Sequence, residues 1–146
     1  MKSREKGHSL IELVVALAMA ATLVALAVPQ FAVAAARYRE RAVVSEFASE
    51  LRQARLLALS KRQRVEVRLA DDRHSIDLVL NDDAQTVLRR YDFHGRGVAL
   101  LSWPEERTLW FHPTGRSASA STILLGTQEA NPRRITVSLT GRVVVS

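Results

Sequence analysis

The most informative part of the chain is residues 7–36, which read GHSLIELVVALAMAATLVALAVPQFAVAAA. From Leu13 to Ala36 this stretch contains 24 consecutive residues without a charge. At 1.5 Å per residue a helix of this length spans roughly 36 Å, which exceeds the hydrocarbon thickness of about 30 Å in a typical bilayer. The sequence therefore predicts a membrane-spanning helix near the N-terminus.

An ordinary secretory signal peptide would share the basic start, the apolar run and the small residues of this stretch. Its candidate cleavage sites would be Ala32-Val33-Ala34 and Ala34-Ala35-Ala36. The apolar core of such a peptide has about 7–15 residues, whereas this run is longer and carries Glu12 near its start. Both observations favour the membrane helix, and the signal peptide is kept as an alternative.

Two residues of this stretch, Glu12 and Pro29, are unusual in a membrane helix. A carboxylate well inside the bilayer costs on the order of 2.5–3.5 kcal/mol. One explanation is a capping box, in which Ser9 and Glu12 satisfy each other's backbone N–H groups at the start of the helix. Pro29 removes one helical hydrogen bond, which predicts a bend or a loosened turn there.

The string Lys6-Gly7-His8-Ser9-Leu10-Ile11-Glu12 resembles the leader and cleavage motif of type IV prepilins and type II secretion pseudopilins. In that family a basic leader ends in glycine, and a glutamate is the fifth residue after the cut. The resemblance implies that prepilin peptidase cleaves between Gly7 and His8 and methylates the amino group of His8, where the family usually has phenylalanine. It also implies that Glu12 pairs with the methylated amino group of a neighbouring subunit during assembly, and that Pro29 is the proline usual in pilin helices.

Past Ala36 the helix is predicted to continue to about Ser60, because apolar residues recur at helical spacing. Their intervals of 3, 4, 3 and 4 form one apolar stripe, which can pack against the rest of the chain. Charged residues occupy other positions around the same axis and are predicted to form a solvated face. The stripe is Val44, Phe47, Leu51, Ala54 and Ala58, and the charged residues are Glu46, Glu50, Arg52 and Arg55.

Beyond Lys61 the hydrophobic period changes to two and the segments become short, which predicts β-strands. The alternation is clearest in Val65–Leu69 and in Ile135–Leu139, each with one face for a core and one for water. Turn residues such as Asn81-Asp82-Asp83 separate the segments. The predicted strands are Arg64–Leu69, Ser75–Leu80, Val87–Phe93, Val98–Ser102, Thr108–His112, Ser121–Leu125, Ile135–Leu139 and Arg142–Val145.

The C-terminal half carries a second resemblance. The segments 111–117 (FHPTGRS), 134–138 and 140–143 are similar to the GspH/FimT type of minor pseudopilin. Thr-Gly-Arg occurs twice, at 114–116 and 140–142, and its glycines are predicted to supply positive φ at hairpin turns.

The expected fold class is α+β and type IV pilin-like, with a long N-terminal helix packed on a small antiparallel β domain. The membrane-spanning part is the first half of that helix. The predicted organisation is a prepilin leader peptide (1–7), a transmembrane and assembly half of the helix (8–36), an amphipathic half (37–61) and a periplasmic β domain (62–146).

The sequence gives no indication of a catalytic, metal or cofactor site. The chain has no cysteine, which excludes disulfides, Cys-ligated metals and thiol nucleophiles. Its four histidines lack metal-binding spacing. Gly95-Arg96-Gly97 lacks the third glycine and the following helix of a phosphate-binding loop. We therefore expect a non-enzymatic protein without a metal or cofactor.

The formal net charge of +6 allows nucleic acid or anionic lipid as a partner and requires neither. Some relatives of the FimT branch bind DNA through a C-terminal G-R-x-R motif, whose arginines contact phosphates. This chain has Gly141-Arg142-Val143-Val144, with valine in place of the second arginine. Arg133 and Arg134 could compensate, and Arg116 could join them if the hairpins lie side by side. A scattered basic surface is the commoner explanation of such residues.

These resemblances imply a minor pseudopilin, a structural subunit of the type II secretion pseudopilus. It would be a single-pass protein of the bacterial inner membrane with its C-terminal domain in the periplasm. The implied partners are prepilin peptidase, other major and minor pseudopilins, and the lipid of the inner membrane. The alternatives are a FimT-like minor pilin that serves type IV pilus assembly or DNA uptake, and a secreted β protein with an ordinary signal peptide.

Overall fold

The computed structural model describes residues 10–105, 108–127 and 132–146, which form one long helix followed by eight β-strands. The predicted α+β class, with a long N-terminal helix followed by antiparallel β-sheet, is confirmed. The elements are α1 (Leu10–Lys61), β1 (Val65–Leu69), β2 (Ser75–Leu80), β3 (Val87–Asp92), β4 (Ala99–Ser102), β5 (Thr108–Phe111), β6 (Ser121–Gly126), β7 (Arg133–Val137) and β8 (Val143–Val145).

Helix α1 spans both of the compact units into which the chain divides, one ending at Arg37 and the other comprising Tyr38–Ser146. In the first unit the large apolar side chains from Leu10 to Val33 are each more than half exposed. By length and composition, α1 is long and apolar enough to cross a membrane.

In the second unit the described strands form two four-stranded antiparallel sheets. Sheet A has the order β3-β2-β1-β5, and sheet B has the order β4-β6-β7-β8. An isolated bridge between Phe111 and Ser117 and a hydrogen bond from Ser117 N to Leu139 O (3.1 Å) link the end of β5 to the turn after β7. The two sheets are therefore connected by backbone contacts close to two of their turns.

The core of the second unit lies between the apolar stripe of α1 and the inward faces of the sheets. All five predicted stripe residues are buried, and Phe47 is completely so. The ring of Phe47 meets Tyr91, Phe93 and Trp103 edge to face at centroid distances of 6.2, 5.8 and 6.2 Å. Edge-to-face pairs of this kind add to the stabilisation from buried area, so Phe47 is central to the attachment of the helix.

Each predicted strand overlaps an observed one, and the largest shift is in β7. The sequence predicts Ile135–Leu139, whereas β7 is Arg133–Val137. Gly141 N donates to Ser138 O (2.8 Å), so a turn already begins at Ser138 and leaves Leu139 half exposed. Leu139 continues the apolar alternation of β7 in the sequence, although it lies in the turn. The sequence pattern therefore extends two residues beyond the end of the strand.

Candidate functional site

The apolar half of α1 contains the predicted assembly residues. Gly7 and His8, the predicted cleavage and methylation positions, lie outside the described residues. Glu12 lies in the first turn of α1, where a carboxylate interacts favourably with the positive end of the helix dipole. Its position near the start of the helix suits both a capping role and a role at a subunit contact.

Pro29 lies inside α1, and the helix continues on both sides of it. Because proline has no N–H, the carbonyl of Ala25 loses its usual helical partner. The nearby polar residue Thr22 is satisfied within the helix, since its hydroxyl donates to Ala18 O (3.1 Å) or Met19 O (2.7 Å). Apart from Glu12 at its start and the exposed Gln30 next to Pro29, this half of the helix therefore presents an apolar surface.

Two glutamates hold the second half of α1 to sheet A. Glu50 is only 6% exposed, and Arg89 of β3 forms an ion pair with it at 2.8 Å. Glu46 accepts hydrogen bonds from Arg96 Nη2 (3.0 Å) and from the Tyr91 hydroxyl (3.0 Å). The prediction of a solvated face is wrong for Glu50, which Arg89 of β3 covers. It holds for Glu46, which stays exposed beside Arg96 and Tyr91.

This contact changes the titration of both of its acidic groups. The hydrogen bond from the Arg96 guanidinium lowers the pKa of Glu46 against an opposing effect of desolvation, and the hydrogen bond from Tyr91 lowers it further. Burial and the Glu46 carboxylate together raise the pKa of Tyr91 above its usual range. Glu46 is thus held charged and Tyr91 neutral at physiological pH.

Two arginines on roughly the opposite side of α1 contact β8 of sheet B and the turn after β5. Arg55 Nε donates to Gly115 O at 2.9 Å, and Arg52 Nη2 lies 3.5 Å from Val143 O. Arg55 is also partly buried, so the predicted solvated face is wrong here as well. The charged residues of α1 therefore anchor the helix on two flanks.

The two Thr-Gly-Arg segments form neighbouring turns beneath Arg55. Gly115 and Gly141 have φ of +78° and +76°, which confirms the predicted positive φ. A Cβ atom at Gly141 would lie 2.0 Å from Gly115 O, closer than any real contact allows. Glycine is therefore required at Gly141 by the backbone conformation and by the close packing of the turns.

The structure places the four predicted basic residues at two locations. Arg116 and Arg142 are exposed in the neighbouring turns. Arg133 and Arg134 lie at the start of β7, where Arg134 exchanges backbone hydrogen bonds with Ser146 (3.0 and 2.9 Å). That end of the β7–β8 hairpin is roughly 13 Å along the strand from the turn, so the four residues do not form one cluster.

A groove follows α1 along the edge of β8 that pairs with none of the described strands, and sequence reasoning missed it. One depression of about 430 Å³ is lined by Arg41, Arg52, Arg133 and Val145, among others. A second of about 310 Å³ is lined by Arg52, Arg55, Arg142 and Val143, among others. Arg41, Arg52 and Arg55 are 11 and 3 residues apart, which puts them on one side of the helix. This spacing was the available signal.

No group of three or more His, Asp or Glu side chains that could hold a metal occurs in the part of the chain that the structure describes. His74 and His94 meet edge to face with ring centroids 4.9 Å apart. A two-histidine contact falls short of the three or four ligands of a protein metal site.

Two family models match the sequence. One, described as "Type II transport protein GspH", matches residues 43–141. The other, described as "Prokaryotic N-terminal methylation motif", matches residues 2–28. None of the curated proteins matches the chain.

Solved structures share the fold at low sequence identity. The type IV minor pilin FimU of Pseudomonas aeruginosa is 17% identical with a TM-score of 0.63, over 75% of this chain and 90% of that chain. The minor pseudopilin EpsH from the type 2 secretion system of Vibrio cholerae is 15% identical with a TM-score of 0.59, over 74% of this chain and 96% of that one.

Proposed function

The chain belongs to the GspH family of type II transport proteins, and we propose that it is a minor pseudopilin of a type II secretion pseudopilus. The observation that carries this proposal is the presence of two features in one chain. An N-terminal methylation motif covers residues 2–28, and the helix that begins within it at Leu10 exposes its large apolar side chains as far as Val33. A helix that is apolar all round needs lipid or other helices as its surroundings.

The proposed maturation starts from the leader. Prepilin peptidase cleaves between Gly7 and His8 and methylates the new amino group of His8. Before assembly, α1 anchors the protein in the inner membrane, with the leader in the cytoplasm and the folded unit in the periplasm. After assembly, the same apolar surface packs against the helices of neighbouring pseudopilins.

Glu12 supplies the charge that directs this assembly. We propose that its carboxylate pairs with the methylated amino group of an adjacent subunit. Leaving one of two buried charges without its partner costs about 3–5 kcal/mol, so a subunit in the wrong register would be strongly disfavoured. Pro29 leaves the Ala25 carbonyl without its helical partner, which allows the helix to adjust as it packs.

The mass of the N-terminal peptide of the mature protein tests this proposal. The full chain is produced in cells with and without prepilin peptidase, and the peptide is analysed after membrane extraction. We expect N-methylated His8 as the first residue when the peptidase is present and an intact leader when it is absent. A mature protein that begins near Ala35 or Arg37 would instead establish an ordinary signal peptide.

A minor pilin of a type IV pilus, acting in pilus assembly or DNA uptake, is the second candidate. The exposed Arg116 and Arg142 in neighbouring turns favour it, because two adjacent guanidinium groups can contact phosphates of DNA. Deletion of the gene separates the two candidates. Loss of exported proteins from the medium supports the secretion role, whereas loss of pili or of transformation supports the pilus role.

A further inference from the structure

Strand β8 is an edge of sheet B, and two of its three residues direct their backbone groups away from the sheet. Arg134 N donates to Ser146 O and Ser138 N donates to Arg142 O, both at 3.0 Å. In an antiparallel pair the hydrogen-bonded residues alternate, so Val143 and Val145 direct their N–H and C=O groups away from β7. These groups lie along the groove between α1 and β8.

The charge of the groove is positive along its whole length. Five arginines line it, and none of its described lining residues is acidic. The nearby glutamates of α1, Glu46 and Glu50, are engaged on the other flank of the helix by Arg96 and Arg89. The five arginines are Arg41, Arg52, Arg55, Arg133 and Arg142.

The size and the floor of the groove suit a single extended chain. Arg41 and Arg55 are separated by roughly 21 Å along the helix axis, which matches about six residues of a β-strand. The floor is apolar and includes Val44 and Leu56. An extended peptide can cover this floor with alternate side chains and direct the others outward, whereas a nucleic acid backbone offers no apolar groups to cover it.

We propose that this groove binds an extended acidic segment of another protein, which adds as a strand to the edge of β8. Its backbone pairs with Val143 and Val145, and its carboxylates pair with the surrounding arginines. Arg52 Nη2, which lies 3.5 Å from Val143 O, turns from that carbonyl to a carboxylate of the segment. Exposed strand edges readily accept another chain. This inference adds the chemistry of a partner to the proposed assembly role. It rests on the proposed function only in taking assembly as the setting in which the chain meets this partner.

A labelled peptide with three Glu-Val repeats tests the charge requirement. The purified full chain in neutral detergent micelles is titrated with this probe, and fluorescence anisotropy reports binding. We expect binding that weakens as salt rises, and a loss of about tenfold in affinity for Arg41→Gln/Arg133→Gln. The control Arg39→Gln/Arg64→Gln removes the same charge outside the groove, and we expect it to bind the probe like the unchanged chain.

Two results of this titration would overturn the proposal. One is absence of binding at low salt, or an equal loss in the control variant, because the groove would then have no special role. The other is displacement of the peptide by a short DNA duplex that binds more tightly through Arg41 and Arg133, because the groove would then belong to nucleic acid. In either case the mass of the mature N-terminus remains a separate test of the pseudopilin role.

A second pair of measurements tests strand addition. A probe with the same side chains but N-methyl groups on alternate backbone nitrogens cannot pair with β8, and we expect it to lose about tenfold in affinity. On the protein side, Val145→Pro removes an outward N–H without breaking the β7 ladder, whereas Val145→Ala keeps it. Unchanged affinity of the N-methylated probe would refute strand addition whether or not the proline variant folds.

Discussion

The two halves of α1 differ in where their apolar side chains find partners. In the first half Phe31 is 73% exposed, whereas in the second half Phe47 is fully buried among Tyr91, Phe93 and Trp103. The first half is apolar around most of its circumference, and the described residues leave each of its large apolar side chains as far as Val33 more than half exposed. The second half has a buried apolar stripe, and the sheets of the same chain cover that stripe.

This difference separates two kinds of stability in one helix. The second half is fixed by the folding of the chain, through its core stripe and through charged contacts on two flanks. The first half depends on what surrounds it, which we propose to be lipid before assembly and other subunits afterwards. Substitutions in the second half should therefore change the unfolding free energy, and those in the first half should change insertion and assembly.

The largest expected effect comes from a matched pair of phenylalanine substitutions. Phe47→Ala removes a buried ring from the core and should lower the unfolding free energy by about 3–5 kcal/mol. Phe31→Ala removes a ring that the chain does not cover, and the unfolding free energy should stay within about 0.5 kcal/mol. Denaturant unfolding of the full chain in detergent micelles, followed by near-ultraviolet circular dichroism, measures both values.

Equal losses in these two variants would contradict the comparison between the halves. They would mean that the first half of α1 also contributes to the cooperative unfolding of the folded unit. A loss for Phe47→Ala alone would support the division of the chain at Arg37 and Tyr38.

The next effect concerns the turns that receive Arg55. Gly141→Ala would place a Cβ 2.0 Å from Gly115 O at a positive φ, and it should lower the unfolding free energy by about 2–4 kcal/mol. Gly97→Ala is the control, because Gly97 has a similar φ of +74° with nothing within 4 Å of the added Cβ. Its backbone strain alone should cost about 1–2 kcal/mol.

The difference between these two glycine variants isolates the close approach of the turns. Thermal unfolding followed by circular dichroism gives both values. If the two variants lose the same unfolding free energy, the close approach of Gly141 to Gly115 contributes nothing to stability. The packing of α1 on this flank would then depend on other contacts.

Local features of the fold could be predicted from the sequence. The helix end near Lys61, the buried stripe through Phe47 and the turn glycines Gly115 and Gly141 all follow from patterns within a few residues. The methylation motif could be recognised because it is also local: Gly7, His8 and Glu12 lie within one stretch of seven residues, 6–12.

The features that the sequence did not predict depend on contacts between distant segments. β5 pairs with β1 while β4 pairs with β6, and no local alternation specifies which strands become neighbours. Glu50 was expected to be solvated because its partner Arg89 lies on β3. The basic groove likewise combines arginines from α1, β7 and the turn before β8.

The smallest expected effect is the pH dependence of the flank held by Glu46. Its pKa is lowered in the folded chain by Arg96, so its contribution to stability is present above the unfolded value near 4.5 and is lost as the pH falls through the folded value. Because the carboxylate is 47% exposed, solvent screening limits this contribution to below about 1 kcal/mol.

The contribution of Glu46 is measured as the difference in unfolding free energy between the unchanged chain and Glu46→Gln, determined from neutral pH to about pH 3. The stability difference should be present at neutral pH and shrink in acid, because a protonated glutamate and the glutamine of the variant are nearly isosteric and both uncharged. A difference that stays constant over this range would mean that hydrogen bonding or packing, and not the charge of Glu46, holds this flank of α1 to sheet A.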